Sequence, residues 1–296
     1  MTRFVLISAL LAAGCGASDE EPPTPPPSVA PAALFPATVG DRWRERVGGA
    51  ARTRGVTATT PEGLAVLFGQ GDTQPAFYRA SEQEVGLARP DGSIIEPLLR
   101  APIRAGAGWD YEGARSARCR GEILRVDAPH AGQRCVSVRR RCVHPAGTLF
   151  GPETTRVTEE VYCPGVGRVR ARTTLSPPIE GATPGDVEVV AWRVAGTPAR
   201  VPEGLGCDAF LLLPSDVQAA CGPEWRWQGE EAVDGGCVHR FRAGERELEV
   251  RASEAPLEGA VVSVEVDGAH AAVRGDCPAA RAGRMEGLLR SLLVRP

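Results

Sequence analysis

The sequence has no lysine and no asparagine, and aromatic residues make up 5% of its 296 positions. All 34 basic residues are therefore arginines. Without lysine the chain has no Walker A loop, no Schiff-base nucleophile and no Ser-x-x-Lys pair, and without asparagine it has no N-glycosylation acceptor. No run of 18 apolar residues follows the N-terminal segment, so no membrane-spanning helix is predicted.

The first fifteen residues have the pattern of a bacterial export signal. Arg3 gives a positive start, and an apolar run too short to span a bilayer follows over 4–13. The sequence Leu-Ala-Ala-Gly-Cys at 11–15 resembles the lipobox, at which a signal peptide is removed and the cysteine is acylated. Residues 1–14 are thus predicted to be a signal peptide and Cys15 the lipidated N-terminus. An ordinary secretory signal cut nearby is the alternative.

The acidic, proline-rich segment 15–34 is predicted to be a tether. Its composition does not support a core, and its prolines favour polyproline II, about 3.1 Å per residue. By resemblance to the sorting rule of two-membrane bacteria, Gly16 after the cysteine implies the outer membrane, facing the periplasm or the outside. Two or three acyl chains, palmitate among them, would anchor the protein stably.

Eight cysteines remain besides Cys15, and an even number in an exported protein predicts disulfides. The predicted pairs are Cys119–Cys142, Cys135–Cys163, Cys207–Cys237 and Cys221–Cys277. Positions 135 and 142 face opposite sides of an extended strand, so they are not expected to pair. In the second half, the alternative of Cys207–Cys277 with Cys221–Cys237 is almost as favourable as the predicted pairing. No bridge is expected to cross between the two halves.

Zinc is the competing interpretation of the cysteines. The Cys-x-His pairs at 142–144 and 237–239 offer metal ligands. However, the chain has no Cys-x-x-Cys, and Cys-x-His is not a standard zinc spacing. Neither a metal nor a cofactor is predicted.

A stretch containing proline and glycine at 197–206 separates the two groups of four cysteines and predicts a domain boundary. The predicted domains are 35–198 and 199–296. Residues 36–198 hold 22 arginines and 18 acidic residues, whereas 199–296 hold 11 and 16. The domains therefore have opposite net charge and are expected to attract each other, although exposed charges are screened beyond about 8–10 Å.

The first domain is predicted to be all-β, because strand signals recur and no helical period is sustained. The clearest strands are RGVTATT, LAVLFG, AFYRAS, GEILRVD, RCVSVRRRCV, RVTEEVYC, GRVRARTTL and VEVVAWRV. About ten short strands suggest an antiparallel sandwich, an open barrel or a curved sheet. Pro-x-x-x-Gly-x-x-Trp occurs at 36–43 and at 102–109. Each copy could deliver a tryptophan into the start of a strand, although two chance matches remain possible.

This domain resembles uncharacterised bacterial lipoproteins. The resemblance rests on LFPATVGDRW, APIRAGAGWDYEG, APHAGQRCVSVR and VYCPGVGRVRA and covers most of 34–174. Glu45 stands where the family usually has tyrosine, two residues after the first tryptophan. The family implies no known reaction.

The second domain is predicted to be a smaller α+β layer. FLLLPSDVQAACG reads as a short helix, with Pro214 at its first position and Gly222 after its end. Four or five antiparallel strands follow, with Asp267-Gly268 as a hairpin turn. The segment ARAGRMEGLLRSLLV then has apolar residues at helical spacing.

Little in the sequence points to catalysis. It has no Gly-x-Ser-x-Gly, His-Glu-x-x-His or Gly-x-Gly-x-x-Gly motif, and the four histidines are scattered: His130, His144, His239 and His270. Glu159 and Glu160 are adjacent in a strand and point to opposite faces. Asp110 and Glu112 could share a face as the carboxylate pair of a hydrolase, but two carboxylates beside Trp109 fit a solvated strand edge equally well. The arginines at 139–141 are expected to lie on a solvated strand face rather than to bind nucleic acid.

The sequence therefore predicts an envelope lipoprotein, not an enzyme, that acts as a binding or structural module. Its expected partners are the membrane, through the anchor, and another envelope protein. The alternative is a carrier that holds an acyl chain or another apolar ligand in a curved sheet, as the lipoprotein-localisation factors do. A large apolar cavity would favour the carrier.

Overall fold

The structure, a computed structural model, describes residues 29–147, 151–179, 185–278 and 282–293. The protein is mainly β. A twelve-stranded antiparallel sheet curves into a nearly closed barrel, and a smaller five-stranded antiparallel sheet with two helices follows it. Of the three arrangements that the sequence leaves open for the first domain, the structure shows the open barrel.

The barrel strands run antiparallel throughout. They are β1 (Arg42–Val47), β2 (Ala50–Thr59), β3 (Ala65–Gly69), β4 (Ala76–Ala80), β5 (Glu84–Ala88), β6 (Ile94–Arg100), β7 (Gly108–Gly113), β8 (Ala117–His130), β9 (Gln133–His144), β10 (Thr154–Cys163), β11 (Gly167–Ser176) and β12 (Val187–Arg193).

The barrel consists of two six-stranded meanders, β1–β6 and β7–β12, in the order β6-β5-β4-β3-β2-β1-β12-β11-β10-β9-β8-β7. Strand β1 pairs with β12 along one side. On the other side, the short connection 101–107 brings the edges β6 and β7 close together. The sheet is therefore nearly closed.

Both copies of Pro-x-x-x-Gly-x-x-Trp lead into the first strand of a meander. Gly40 and Gly106 have φ of +99° and +79°, a region in which a Cβ atom is unfavourable. Each glycine turn is followed by a strand whose second residue is the tryptophan, Trp43 in β1 and Trp109 in β7. The prediction that each copy delivers a tryptophan into the start of a strand is confirmed, and both rings belong to the main apolar core.

The second domain has the predicted order of helix, sheet and helix. Its elements are α1 (Pro214–Cys221), β13 (Arg226–Val233), β14 (Gly236–Ala243), β15 (Arg246–Ser253), β16 (Val262–Val266), β17 (Ala269–Gly275) and α2 (Ala282–Leu293), with the sheet order β13-β14-β15-β17-β16. Asp267 and Gly268 both have positive φ, as a type I′ hairpin turn requires. Both helices pack on the sheet through a buried apolar cluster.

The folded part begins before the predicted end of the tether. Pro31–Leu34 forms a 3-10 turn, and the side chain of Leu34 is completely buried. The backbone N–H of Ala32 donates to the carbonyl of Ser81 (3.1 Å), and the N–H of Gly165 donates to the carbonyl of Ala33 (2.9 Å). The tether prediction is wrong for these four residues, because composition alone does not reveal that Leu34 enters the core. None of the described helices is long and apolar enough to cross a bilayer.

Candidate functional site

A continuous series of ion pairs, here called the ion chain, runs through the barrel interior. It joins five arginines to four carboxylates. In order, its members are Asp72, Arg52 with Arg54, Glu45, Arg168, Glu160, Arg140, Glu96 and Arg156. Apart from Asp72, these residues lie on β1, β2, β6, β9, β10 and β11. Because β6 and β9 are not neighbours in the sheet, the contact of Glu96 with Arg140 crosses the interior.

Strand alternation separates the interior charges from the exposed ones. On β10, Glu160 is completely buried in the ion chain, whereas Glu159 pairs with the exposed Arg139. The prediction that these two carboxylates point to opposite faces is confirmed. On β9, Arg139 and Arg141 are exposed as expected. The prediction of a solvated face is wrong for Arg140, which is 7% exposed, because its position in the alternation turns it inward.

Glu160 is held by two arginines. Its carboxylate accepts hydrogen bonds from Arg140 Nε (2.8 Å) and from Arg168 Nη1 (3.2 Å). Burial would raise the pKa of Glu160, but the two guanidinium groups outweigh it, and the pKa lies below its ordinary value. Burial likewise opposes the charge of Arg140, yet Glu160 and its other neighbours hold the Arg140 pKa well above normal. Both side chains therefore stay charged at physiological pH.

Glu45 lies on β1, two residues after Trp43. Its carboxylate lies 3.3 Å from Arg52, 3.8 Å from Arg168 and 3.9 Å from Arg54. The side chain is buried, so the carboxylate compensates guanidinium charge inside the barrel. Glu45 thus links Arg52 and Arg54 on β2 to Arg168 and the rest of the ion chain.

One end of the barrel is covered by the N-terminal segment. The ring of Phe35 stacks on Tyr78, with the centroids 4.9 Å apart, and the indole of Trp43 donates to the carbonyl of Val166 (2.7 Å). Beneath this cover lies a cavity of about 40 Å³. Tyr162 lines it and is completely buried, and its hydroxyl has no hydrogen-bond partner among the described residues. Burial raises the Tyr162 pKa well above normal, so the hydroxyl keeps its proton.

Three arginines on the outer face of β1 contact carboxylates of the second domain. The pairs are Arg42–Asp216, Arg44–Asp208, Arg44–Glu230 and Arg46–Asp208. Arg42 is bidentate, with contacts of 2.7 and 2.9 Å to the two oxygens of Asp216. Burial opposes the charge of Asp208, but hydrogen bonds from Arg44 and Arg46 lower its pKa below normal. The expected attraction between the two domains is therefore realised by specific pairs.

A buried histidine lies beside these pairs. His239 Nδ1 is 3.3 Å from Gln70 Nε2, and His239 Nε2 is 3.4 Å from Cys237 Sγ. Because the Gln70 amide donates to Nδ1, we assign the proton to Nε2. Burial, with a smaller contribution from Arg44, lowers the pKa of His239 to about 3, so the ring is neutral. The neutral ring therefore lies buried between the barrel and the second domain.

The structure contains four disulfides, and they are the four pairs expected from the sequence: Cys119–Cys142, Cys135–Cys163, Cys207–Cys237 and Cys221–Cys277. None of them crosses between the domains. Four disulfides are typical of an extracytoplasmic protein. Cys15 and its predicted lipidation lie outside the described residues.

One group in the described part of the chain has the geometry of metal ligands. Ligand atoms of Cys207, Glu230 and Cys237 lie within 4.8 Å of one another. However, the two sulfur atoms are bonded to each other, and a disulfide sulfur is not a thiolate ligand. Asp110 and Glu112 lie together on the exposed outer face of β7, as the sequence predicts for a solvated edge.

No local sequence pattern identifies the ion chain or the cavity. The alternation in RVTEEVYC does place Glu160 and Tyr162 on one face, which is a usable signal. Their partners come from strands remote in sequence, so nothing local identifies them.

A scan against protein-family models gives no match, and no curated protein sequence matches the chain significantly.

Proposed function

We propose that the protein is a lipid-anchored envelope lipoprotein that acts as a non-catalytic binding or structural module. We also propose that it belongs with the bacterial lipoproteins that it resembles. The observation that carries this proposal is the docking of the N-terminal segment on the barrel. Leu34 is completely buried there, so an anchor upstream would hold the barrel by one end.

The spacing between the anchor and the barrel follows from the sequence. Residues 16–30 separate Cys15 from the docked segment, which begins at Pro31, and are rich in proline. At about 3.1 Å per residue in polyproline II, they would span roughly 45 Å. Anchoring in the outer membrane, by the sorting rule noted above, is part of the proposal.

The state of the buried charges supports a non-catalytic role. Glu160 is held by two arginines. The neutral ring of His239 contacts the Gln70 amide, the Cys237 sulfur and, at 3.6 Å, the carboxylate of Glu230, which is itself paired with Arg44. Groups held in this way have fixed protonation states, whereas general acids and bases exchange protons near neutral pH. The pairs between the domains favour a rigid two-domain body.

The carrier alternative has weaker support. The cavity inside the barrel measures about 40 Å³, against about 300–1,000 Å³ for typical sites that bind drug-sized ligands. The interior below it is occupied by the ion chain, which is unfavourable for an acyl chain. Organic extraction of the purified protein distinguishes the two functions, because a carrier would release a stoichiometric lipid that is not covalently bound.

The anchor is tested by labelling cells with a palmitate analogue and fractionating them. We expect the wild-type chain to be labelled and to stay with the membranes. Cys15→Ala should lose the label and leave the membrane fraction, while Cys15→Ala carrying an unrelated lipobox signal peptide should regain both. Labelling and membrane retention of Cys15→Ala would contradict the proposal.

A further inference from the structure

The four disulfides differ in their access to solvent. Seven of the eight bridged cysteines are buried, whereas Cys207 is partly exposed. It lies in a turn of the segment 201–209 between the two domains, and a Cβ atom at the adjacent Gly206 would meet nothing within 4 Å. A thiol must reach a sulfur atom before it can exchange with a disulfide, and exposed disulfides are the labile ones. Cys207–Cys237 is therefore the bridge that an external thiol reaches first.

The second cysteine of this bridge, Cys237, is completely buried and has a hydrogen-bond donor beside it. His239 Nε2 is 3.4 Å from Cys237 Sγ. A disulfide sulfur carries no hydrogen, so the ring N–H donates to the sulfur. When the bridge opens, the same N–H donates to a thiolate, and hydrogen bonds to a charged acceptor are the stronger ones. The donor therefore favours Cys237 as the sulfur that leaves.

The orientation of the Gln70 amide fixes this donor. Gln70 Oε1 accepts hydrogen bonds from the backbone N–H of Thr53 (2.8 Å) and from Arg44 Nη1 (3.1 Å). The amide nitrogen therefore points the other way and lies 3.3 Å from His239 Nδ1. Because Nδ1 accepts a hydrogen bond from the amide, the ring proton is on Nε2 and faces Cys237.

The carboxylates near the bridge are paired with arginines. A carboxylate oxygen of Glu230 lies within 4.8 Å of both sulfur atoms, and an unpaired anion at this distance would oppose a thiolate. Arg44, whose side chain is completely buried, pairs with this carboxylate and with Asp208 (3.0 Å). Arg46 also pairs with Asp208, at 2.8 Å. The charge that forms on Cys237 is therefore not placed beside an uncompensated anion.

From this geometry we propose that Cys207–Cys237 is a thiol-exchange site, closed at rest, that a dithiol opens while the other three bridges stay closed. Because Asp208 follows Cys207 in the chain and pairs with Arg44 and Arg46, the site lies at the contact between the two domains. The inference adds a reactive site to the proposed binding or structural role, and it does not depend on membrane anchoring.

The exchange proceeds in two steps. One thiolate of the dithiol attacks Cys207 Sγ, a new S–S bond forms there, and the bond to Cys237 breaks. The electron pair of the broken bond stays on Cys237 as a thiolate, which accepts a hydrogen bond from His239 Nε2. The second thiolate of the dithiol then displaces Cys207 and forms the disulfide of the dithiol. The protein bridge gains two electrons and two protons, and the dithiol loses two of each.

The first experiment measures which bridge opens first. The full-length chain is treated with dithiothreitol under native conditions for increasing times, and the thiols that become free are alkylated and located by peptide mass spectrometry. We expect Cys207 and Cys237 to become free at least tenfold faster than the cysteines of any other bridge. Opening of all four bridges at one rate, or of another bridge first, would overturn the proposal.

The Cys119–Cys142 bridge is the matched comparison. Its Cys142 Sγ also has donors nearby, Tyr111 Oη at 3.6 Å and Arg156 Nη2 at 3.9 Å. Both of its cysteines are buried, however. This bridge therefore has the donors without the access, and it should stay closed while Cys207–Cys237 opens.

The second experiment identifies the sulfur that is attacked. Glutathione is a monothiol, so at low concentration it completes the first step and stays bound to the cysteine that it attacks. We expect the adduct on Cys207 and a free thiol at Cys237, both located by peptide mass spectrometry. An adduct mainly on Cys237, or one divided equally between the two cysteines, would overturn the proposal.

The third experiment tests the donor. His239→Phe keeps a ring but removes the N–H, and it should slow the opening of Cys207–Cys237 about tenfold under native conditions. In concentrated urea, where the contact is lost, the variant and the wild type should be reduced at equal rates. Tyr111→Phe, which removes the hydroxyl beside Cys142, should leave the opening of Cys207–Cys237 unchanged.

A native rate for His239→Phe equal to or faster than that of the wild type would overturn the role of the histidine. The first two experiments use the wild-type chain, so they decide the proposal even where the variant does not fold.

Discussion

Replacing Glu160 with glutamine should destabilise the barrel strongly, because it removes one charge from the centre of the ion chain. Glutamine keeps the size of the side chain, so the loss is electrostatic. Arg140 and Arg168 would then be buried beside a neutral amide. Removing one partner of a buried ion pair costs about 3–5 kcal/mol.

The neighbouring residue provides a matched control. Glu159 pairs with Arg139, and the side chains are 50% and 45% exposed. Exposed pairs contribute about 0–1 kcal/mol, so Glu159→Gln should be nearly neutral. The two substitutions make the same chemical change at adjacent positions, on opposite faces of one strand.

The assay is equilibrium urea unfolding of the full-length chain at pH 7 with its disulfides intact, followed by circular dichroism. In a thermal scan, the Glu160→Gln loss corresponds to a decrease in Tm of about 6–20 °C, at about 2–4 °C per kcal/mol. Equal losses for Glu159→Gln and Glu160→Gln, or a Glu160→Gln loss below about 1 kcal/mol, would refute the assignment of a buried ion chain.

Three further predictions concern the rest of the molecule. Because the pKa of His239 is lowered to about 3, the unfolded chain gains a proton below pH 6.5 while the folded chain does not. The contribution of His239 to stability should therefore fall by about 2 kcal/mol between pH 7 and pH 5. His239→Gln should remove that dependence, and a pH profile unchanged in this variant would be inconsistent with a neutral buried ring. The double substitution Cys221→Ser and Cys277→Ser removes a bridge between residues 56 positions apart, and it should lower the free energy of unfolding in urea by about 4 kcal/mol. A decrease near zero would argue against the bridge. Gly121→Ala places a Cβ inside van der Waals contact of the Trp109 ring and should lower stability by about 1–3 kcal/mol. Gly229→Ala is the control, because a Cβ there has open space around it. Similar thermal shifts for the two variants would disprove the close approach.

The sequence predicts the barrel well where the signals are local. Alternating patterns identify most strands, and the turn residues Gly40 and Gly106 place a tryptophan at the start of β1 and β7. The two disulfides of the first domain follow from strand alternation and hairpin geometry, whereas in the second domain the sequence leaves another pairing almost as favourable. Local signals do not predict that the sheet nearly closes, because this depends on the pairing of β1 with β12, which are far apart in sequence.

The interior is harder to predict than the strands. In the sequence, Arg140 is one member of a basic run. In the barrel, the alternation of β9 directs its side chain into the interior, whereas Arg139 and Arg141 are exposed. A buried arginine destabilises the fold unless carboxylates pair with it. The partners of Arg140 are Glu96 and Glu160, and Glu96 comes from the other half of the barrel. The burial of Leu34 cannot be predicted from composition, because composition describes a segment as a whole rather than one side chain.

The most direct test of the account is the intact mass of the protein extracted from membranes and measured under denaturing, non-reducing conditions. The account predicts a chain that begins at Cys15, carries covalent acyl groups and shows the mass deficit of four disulfides. A chain without acyl groups, one that begins at another residue, or one with free thiols would contradict it.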